Sequence, residues 1–157
     1  MSAKPVPRPE ECNCFAVRSA ARHVSQFYDR YLAPIGLRTT QFSIVAKLDR
    51  KGPLTINELA KEMVMDRTTL GRNIQPLERD GLIRIEAAAS DRRAKELHLT
   101  KAGEKRLAAA RTAWSHAQEQ FEGTFGTRRA AELRGLLRAL VATDFVPVEK
   151  AAGRTIQ

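Results

Sequence analysis

One short run of side chains, Asp66-Arg67-Thr68-Thr69 followed by Arg72-Asn73, has the chemistry needed to read base pairs. An arginine guanidinium donates two parallel hydrogen bonds to guanine O6 and N7, and an asparagine amide pairs with adenine N6 and N7. Each such pair discriminates against the wrong base by about 1–3 kcal/mol. Hydroxyls and a guanidinium stand together at the start of the run, the end that a reading helix pushes into the major groove. A second basic pair, Arg92-Arg93, follows Asp91. Arginines of this kind suit the minor groove, where negative potential is greatest over A·T-rich sequence. Asp91 would be repelled by phosphate, so its expected role is to pair with an arginine and fix the loop.

No comparable set supports catalysis. His23, His98 and His116 fall on three different elements with no carboxylate or cysteine at a ligand spacing. The chain has no GxSxG, P-loop or GxGxxG pattern. The expectation is a non-enzymatic protein without cofactor or metal, in which His98 is an exposed strand residue. Cys12-Asn13-Cys14 stands apart. If one helix includes both thiols they point about 200° apart and share no partner; if the helix starts later, both can face one metal ion or one partner chain. Three readings stay open: small buried hydrophobes, a thiol activated by a helix N-terminus, or soft-metal ligands.

Charge narrows the partner. The chain of 157 residues carries 27 Lys+Arg against 18 Asp+Glu, a net charge of +9. Its pI near 10.2 makes nucleic acid the leading partner, and the arginine excess favours bidentate contacts. A merely solvated basic surface is the other reading of charge alone. No apolar stretch approaches the roughly 18 residues of a spanning helix. Met1–Glu11 has prolines at 5, 7 and 9 and no apolar core, so no secretory leader is expected. Two cysteines cannot staple a secreted framework, and the expected compartment is the reducing cytoplasm.

The elements that position these residues follow from periodicity and caps. Phe15, Ala20, Val24, Phe27, Tyr28, Tyr31 and Leu32 form a helical stripe that Pro34 and Gly36 end. A second helix is expected over Thr39–Arg50, with Phe42, Val45, Ala46 and Leu48 inward. Thr55-Ile56-Asn57-Glu58 is a capping box for a helix to about Met63. Asp66 is an N-cap for a helix from Arg67 to Asp80, and Gly81 suits its C′ position. Leu70, Ile74 and Leu77 form its inner face. Pro76 is expected to kink it, and mid-helix Gly71 to serve either close packing or close approach of a sugar-phosphate backbone, with packing preferred.

Two helices with one short connector form a helix-turn-helix. The alternating segments 82–86 and 96–100, with a polar tip between them, predict a β-hairpin directly after it: a wing. An exposed charged hairpin without a DNA role is the alternative. Thr100 caps a long helix to about Phe125, and a last helix over about Arg129–Phe145 carries Leu133, Leu136, Leu137, Leu140 and Val141 on one stripe. The fold class is mainly α with a small β-hairpin wing. Residues 1–10 read as a flexible arm, 11–38 as a dimerisation helix, 39–100 as a winged helix-turn-helix, and 101–157 as C-terminal dimerisation helices. A helical bundle shared across a two-fold axis buries the terminal stripes; a helical lid on a monomer is the alternative.

In Leu59-Ala60, Thr68-Thr69-Leu70, Leu77–Ile83 and the run Asp91–Lys95 leading to Leu97–Gly103, the chain resembles the MarR family of transcriptional regulators. The resemblance covers about residues 12–145. It implies a triangular homodimer on double-stranded DNA that represses nearby genes until a small aromatic ligand binds or a cysteine is oxidised. It makes the 66–73 turn the major-groove reader and Arg92 or Arg93 the minor-groove arginine. Cys14-Phe15-Ala16 is similar to the peroxide-sensing OhrR branch, and Tyr28 matches a tyrosine that hydrogen-bonds its reactive cysteine. Thr39 or Thr40 stands where the second such tyrosine would be, and Cys12 is an addition. The remaining alternative is a low-specificity basic architectural protein that binds DNA through charge alone.

Overall fold

The computed structural model of the chain describes Val6 and residues 8–145. Most of the arm expected at 1–10, and the end of the segment expected at 101–157, lie outside the described residues. Where the arm was expected to be irregular, Pro9–Glu11 forms a 3₁₀ turn. The Glu11 carboxylate closes it by accepting the Arg8 N–H at 2.8 Å.

Helix α1 spans Asn13–Leu32 and runs into a 3₁₀ turn at Ala33–Ile35, which left-handed Gly36 (φ 77°) ends. Helix α2 covers Thr39–Lys51, strand β1 Leu54–Thr55, helix α3 Ile56–Met63 and helix α4 Arg67–Arg79. Strands β2 (Ile83–Ala87) and β3 (Lys95–Leu99) form the hairpin. Helices α5 (Lys101–Phe125) and α6 (Thr127–Ala142) follow. The sheet is antiparallel in the order β1-β3-β2, with Leu54 opposite Leu97 and Ile85 opposite Leu97 on the other side. The two-residue β1 was not expected: it is too short to carry a period. α4 continues through Pro76 to Arg79. No helix among the described residues is long and apolar enough to cross a membrane.

The chain divides into two compact units, Met1–Ala117 and Gln118–Gln157. In the first, Leu32, Ile44, Leu48, Leu59, Leu70, Leu77, Ile83, Leu97 and Leu107 are fully buried and join α1 to α5, the helix-turn-helix and the sheet in one core. Ile44, absent from the expected inner face of α2, is buried because that helix is covered on a wider arc than one stripe. α2 also begins on a tertiary contact: Asp29 of α1 accepts the Thr39 N–H and hydroxyl, both at 2.7 Å. In the second unit Glu122 accepts from Gln118 at 2.8 Å and from Arg134 at 2.9 Å.

α3 is held to α2 by one carboxylate. Glu62 accepts from Lys47 at 2.9 Å and Lys51 at 2.5 Å, and these ammonium hydrogen bonds hold its pKa down, from 4.5 to about 2. Because the folded pKa lies below the unfolded one, the stabilisation is complete above about pH 4.5 and disappears as pH falls through about 2. Glu62→Gln is therefore expected to melt below the wild type at pH 7. The gap should close between pH 4.5 and 2 and shrink in high salt, since the pair is partly solvated. Thermal melts across that range check it; a gap that does not change with pH removes the ion pair from the account.

Candidate nucleic-acid interface

α4 starts sharply because Asp66 caps it. Its carboxylate accepts the Thr69 hydroxyl at 2.6 Å and the Thr69 N–H at 2.8 Å, and these bonds, the hydroxyl's foremost, hold Asp66 below the usual carboxylate range. The Asn73 amide turns back one helical turn and donates to the Thr69 carbonyl at 2.9 Å. Asp66, Thr69 and Asn73 are thus engaged within the helix. The side chains of Arg67, Thr68 and Arg72 are exposed and make no hydrogen bond or ion pair among the described residues. On the opposite face Leu70, Ile74 and Leu77 lock α4 into the core.

The hairpin presents the second basic pair. The expected pairing of Asp91 with a guanidinium is absent; its carboxylate accepts the backbone N–H of Arg93 at 2.9 Å. Its carbonyl accepts the Ala94 N–H at 2.9 Å, and the Ala88 N–H closes the loop on Ala94 at 2.8 Å. A short side chain next to the turn reaches the backbone more readily than it reaches a mobile guanidinium. Arg92 and Arg93 are exposed as a result. Lower on the hairpin, His98 is half-buried rather than exposed as expected, because its ring lies between two carboxylates, with Nε2 3.5 Å from Glu96 and 3.7 Å from Glu86.

Between the starts of α3 and α4 and the loop of the wing is a depression of about 510 Å³, lined by Thr55, Asn57, Arg67, Asp91, Arg93 and Lys95 among others. Pairing of Thr55 with Glu96 brings the first turn of α3 beside the wing, which gathers three cations around one concavity. Sequence reasoning missed Thr55, Asn57 and Lys95 as lining residues. The signals available for them were the capping box, which contains Thr55 and Asn57, and the positive charge of Lys95 at the end of the wing loop. Arg93→Ala should reduce the salt dependence of DNA binding by about one unit of slope and weaken A·T-rich flanks most. An unchanged slope in anisotropy titrations at several salt concentrations would remove the wing from the interface.

The remaining singled-out residues are elsewhere. Cys12 is the extended N-cap of α1 (φ −70°, ψ 113°), Cys14 is in its first turn, and both are exposed. The single chain therefore neither buries them nor places both within the helix. Tyr28 is buried at 9% exposure, with Phe27 edge-on at 5.4 Å. It follows Cys14 by fourteen residues on the same helix, an axial separation of about 21 Å, so the two do not meet within one chain. A separate groove of about 670 Å³ runs between α2 and α5. Phe42 and Trp114 stack there at 5.9 Å, beside Ser43, Ala46 and exposed Arg50.

Residues 37–95 match the MarR family. The chain is 39% identical to the transcriptional regulator MosR of M. tuberculosis, whose structure in complex with DNA it matches with a TM-score of 0.72 over 84% of this chain and 98% of that one. It is 27% identical to a probable transcriptional regulator from Pseudomonas aeruginosa, with a TM-score of 0.75 over 85% of this chain and 99% of the other. The uncharacterized HTH-type transcriptional regulator YwoH of Bacillus subtilis is 30% identical over 90 residues, which are 57% of this chain and 65% of that protein.

Proposed function

The chain belongs to the MarR family of DNA-binding transcriptional regulators, which are not enzymes, and we propose that it is a repressor: a homodimer that holds a pseudopalindromic operator and releases it on binding a small aromatic acid. The observation that carries this reading is the free state of Arg67, Thr68 and Arg72 on a rigidly capped α4. Side chains suited to base edges are of no use to a protein that binds phosphate alone. Two copies linked in a dimer turn weak single-helix binding into operator affinity. Each unit has exposed apolar side chains that a second copy would cover: Leu136, Val141 and Phe145 of the C-terminal unit are 63–70% exposed, and Phe15 of α1 in the first unit is 58% exposed.

A competition titration tests the repressor against an architectural protein. DNA upstream of the protein's own gene is bound, and specific and random competitors are compared by fluorescence anisotropy. Specific sites are expected to win by about 10³ or more. Displacement by random DNA within about tenfold of the specific competitor sinks the repressor reading.

The Phe42–Trp114 groove supports the effector. Its volume lies within the range of small-molecule sites, its floor is aromatic, and the Arg50 guanidinium is available for a carboxylate. Because Trp114 is the single tryptophan of the chain, its fluorescence reports occupancy directly. Benzoate should change that emission and weaken operator binding over the same concentrations; release of DNA without a change in Trp114 emission moves the effector to another site.

The exposure of Cys14 in the first turn of α1 favours a second reading, a thiol-based switch, because amides at a helix start stabilise a thiolate. Release of wild type but not of Cys14→Ser by stoichiometric organic hydroperoxide would establish it. Retention of both on DNA excludes it.

A further inference from the structure

Gly71 is a glycine in the middle of a helix, where it is the poorest choice short of proline. The structure removes the usual reasons for one. Among the described residues the left-handed glycines are Gly36, Gly52, Gly81 and Gly126, so Gly71 needs no special backbone angle. A Cβ placed on it meets no atom within 4 Å, so no neighbouring element presses on it. The packing expected from the sequence is therefore absent, and α4 continues through the position to Arg79. No described residue supplies the reason for the glycine.

Its position indicates what approaches. Gly71 is one turn beyond Arg67 and three residues beyond Thr68, the spacings at which helix side chains are neighbours, and it immediately precedes Arg72. These are the free cations and hydroxyl of α4, and Arg67 also lines the depression that holds Arg93 and Lys95. We propose that Gly71 is the point of closest approach of α4 to the operator. A sugar-phosphate strand passes against its bare Cα, and this lets Thr68 and Arg72 reach deeper into the groove than a helix with a side chain there would permit. This assignment rests on the operator-binding reading above.

Gly71→Ala tests it through two readouts of opposite sign. Alanine has room in the free protein, so the thermal midpoint should rise by about 2–4 °C. Affinity for the upstream DNA should fall at least tenfold at fixed salt, with an unchanged salt slope because no cation is lost. Wild-type affinity in the variant overturns the assignment and leaves operator binding intact. A lower midpoint together with weaker binding also overturns it, since the alanine would then be disturbing the fold. If the wild type itself shows no preference for the upstream DNA, the operator reading fails and takes this assignment with it.

Discussion

Gly103→Ala should lower the thermal midpoint by about 2–8 °C, although alanine is the better helix residue. A Cβ at that position would lie 2.2 Å from the Leu82 carbonyl oxygen and 2.5 Å from Leu99 Cδ1. The first partner is backbone and cannot rotate away. It is also engaged, because the Thr100 N–H donates to the same carbonyl at 3.1 Å. The Thr100 hydroxyl donates to the Gly81 carbonyl at 2.7 Å and accepts the Gly103 N–H at 3.0 Å. The start of α5 is thus clamped to the turn that ends α4 and begins the wing. Forcing them apart brings an overpacking cost of about 1–3 kcal/mol, sometimes more, against a helical gain of up to about 1 kcal/mol. Gly123→Ala is the control, because a Cβ there meets nothing within 4 Å. If both variants melt alike, the clamp has no energetic weight. DNA binding near the lowered midpoint should fail with it, since the displaced turn carries both proposed reading elements.

Local patterns made the helix-turn-helix legible. The Thr55 and Asp66 caps expected from residue type are formed in the structure, with the Glu58 N–H on the Thr55 hydroxyl at 3.2 Å. Such signals survive folding because their partners lie within one turn. What the sequence concealed was tertiary. Asp29 serves the first turn of α2 from ten residues away, and β1 exists only because β3 is there to pair with it. α6 starts at Thr127, after Gly126 with φ 100°, two residues before the start its leucine stripe suggested. Residue type also did not show which polar atoms of the expected reading set are already engaged within the helix. Thr69 and Asn73 are the right types for base contacts, but Asp66 and the helix backbone have claimed their polar atoms. Asp91 shows the same competition, since its carboxylate found a backbone N–H first.

That competition sharpens what Arg72 is expected to do. Its side chain is exposed, without a partner among the described residues, and on the face of α4 opposite Leu70, Ile74 and Leu77. Arg72→Ala should therefore leave the thermal midpoint nearly unchanged, as surface substitutions within about 0.5 kcal/mol do. On the upstream DNA the loss should be about 1–3 kcal/mol for each protomer's contact, or roughly 5–150-fold per half-site. On random DNA only a phosphate contact is lost, and the effect should be much smaller and vanish at high salt. Asn73→Ala is the informative companion. Its amide must leave the Thr69 carbonyl before it can read a base, so its contribution is reduced by the bond it gives up and should fall below that of Arg72. Anisotropy titrations of both variants on specific and random duplexes separate the possibilities. Equal losses for Arg72→Ala on both duplexes would reassign the guanidinium to the phosphate backbone. A larger loss at Asn73 would mean that α4 rearranges on DNA and that the intrahelical bonds of the free protein do not set its reading surface.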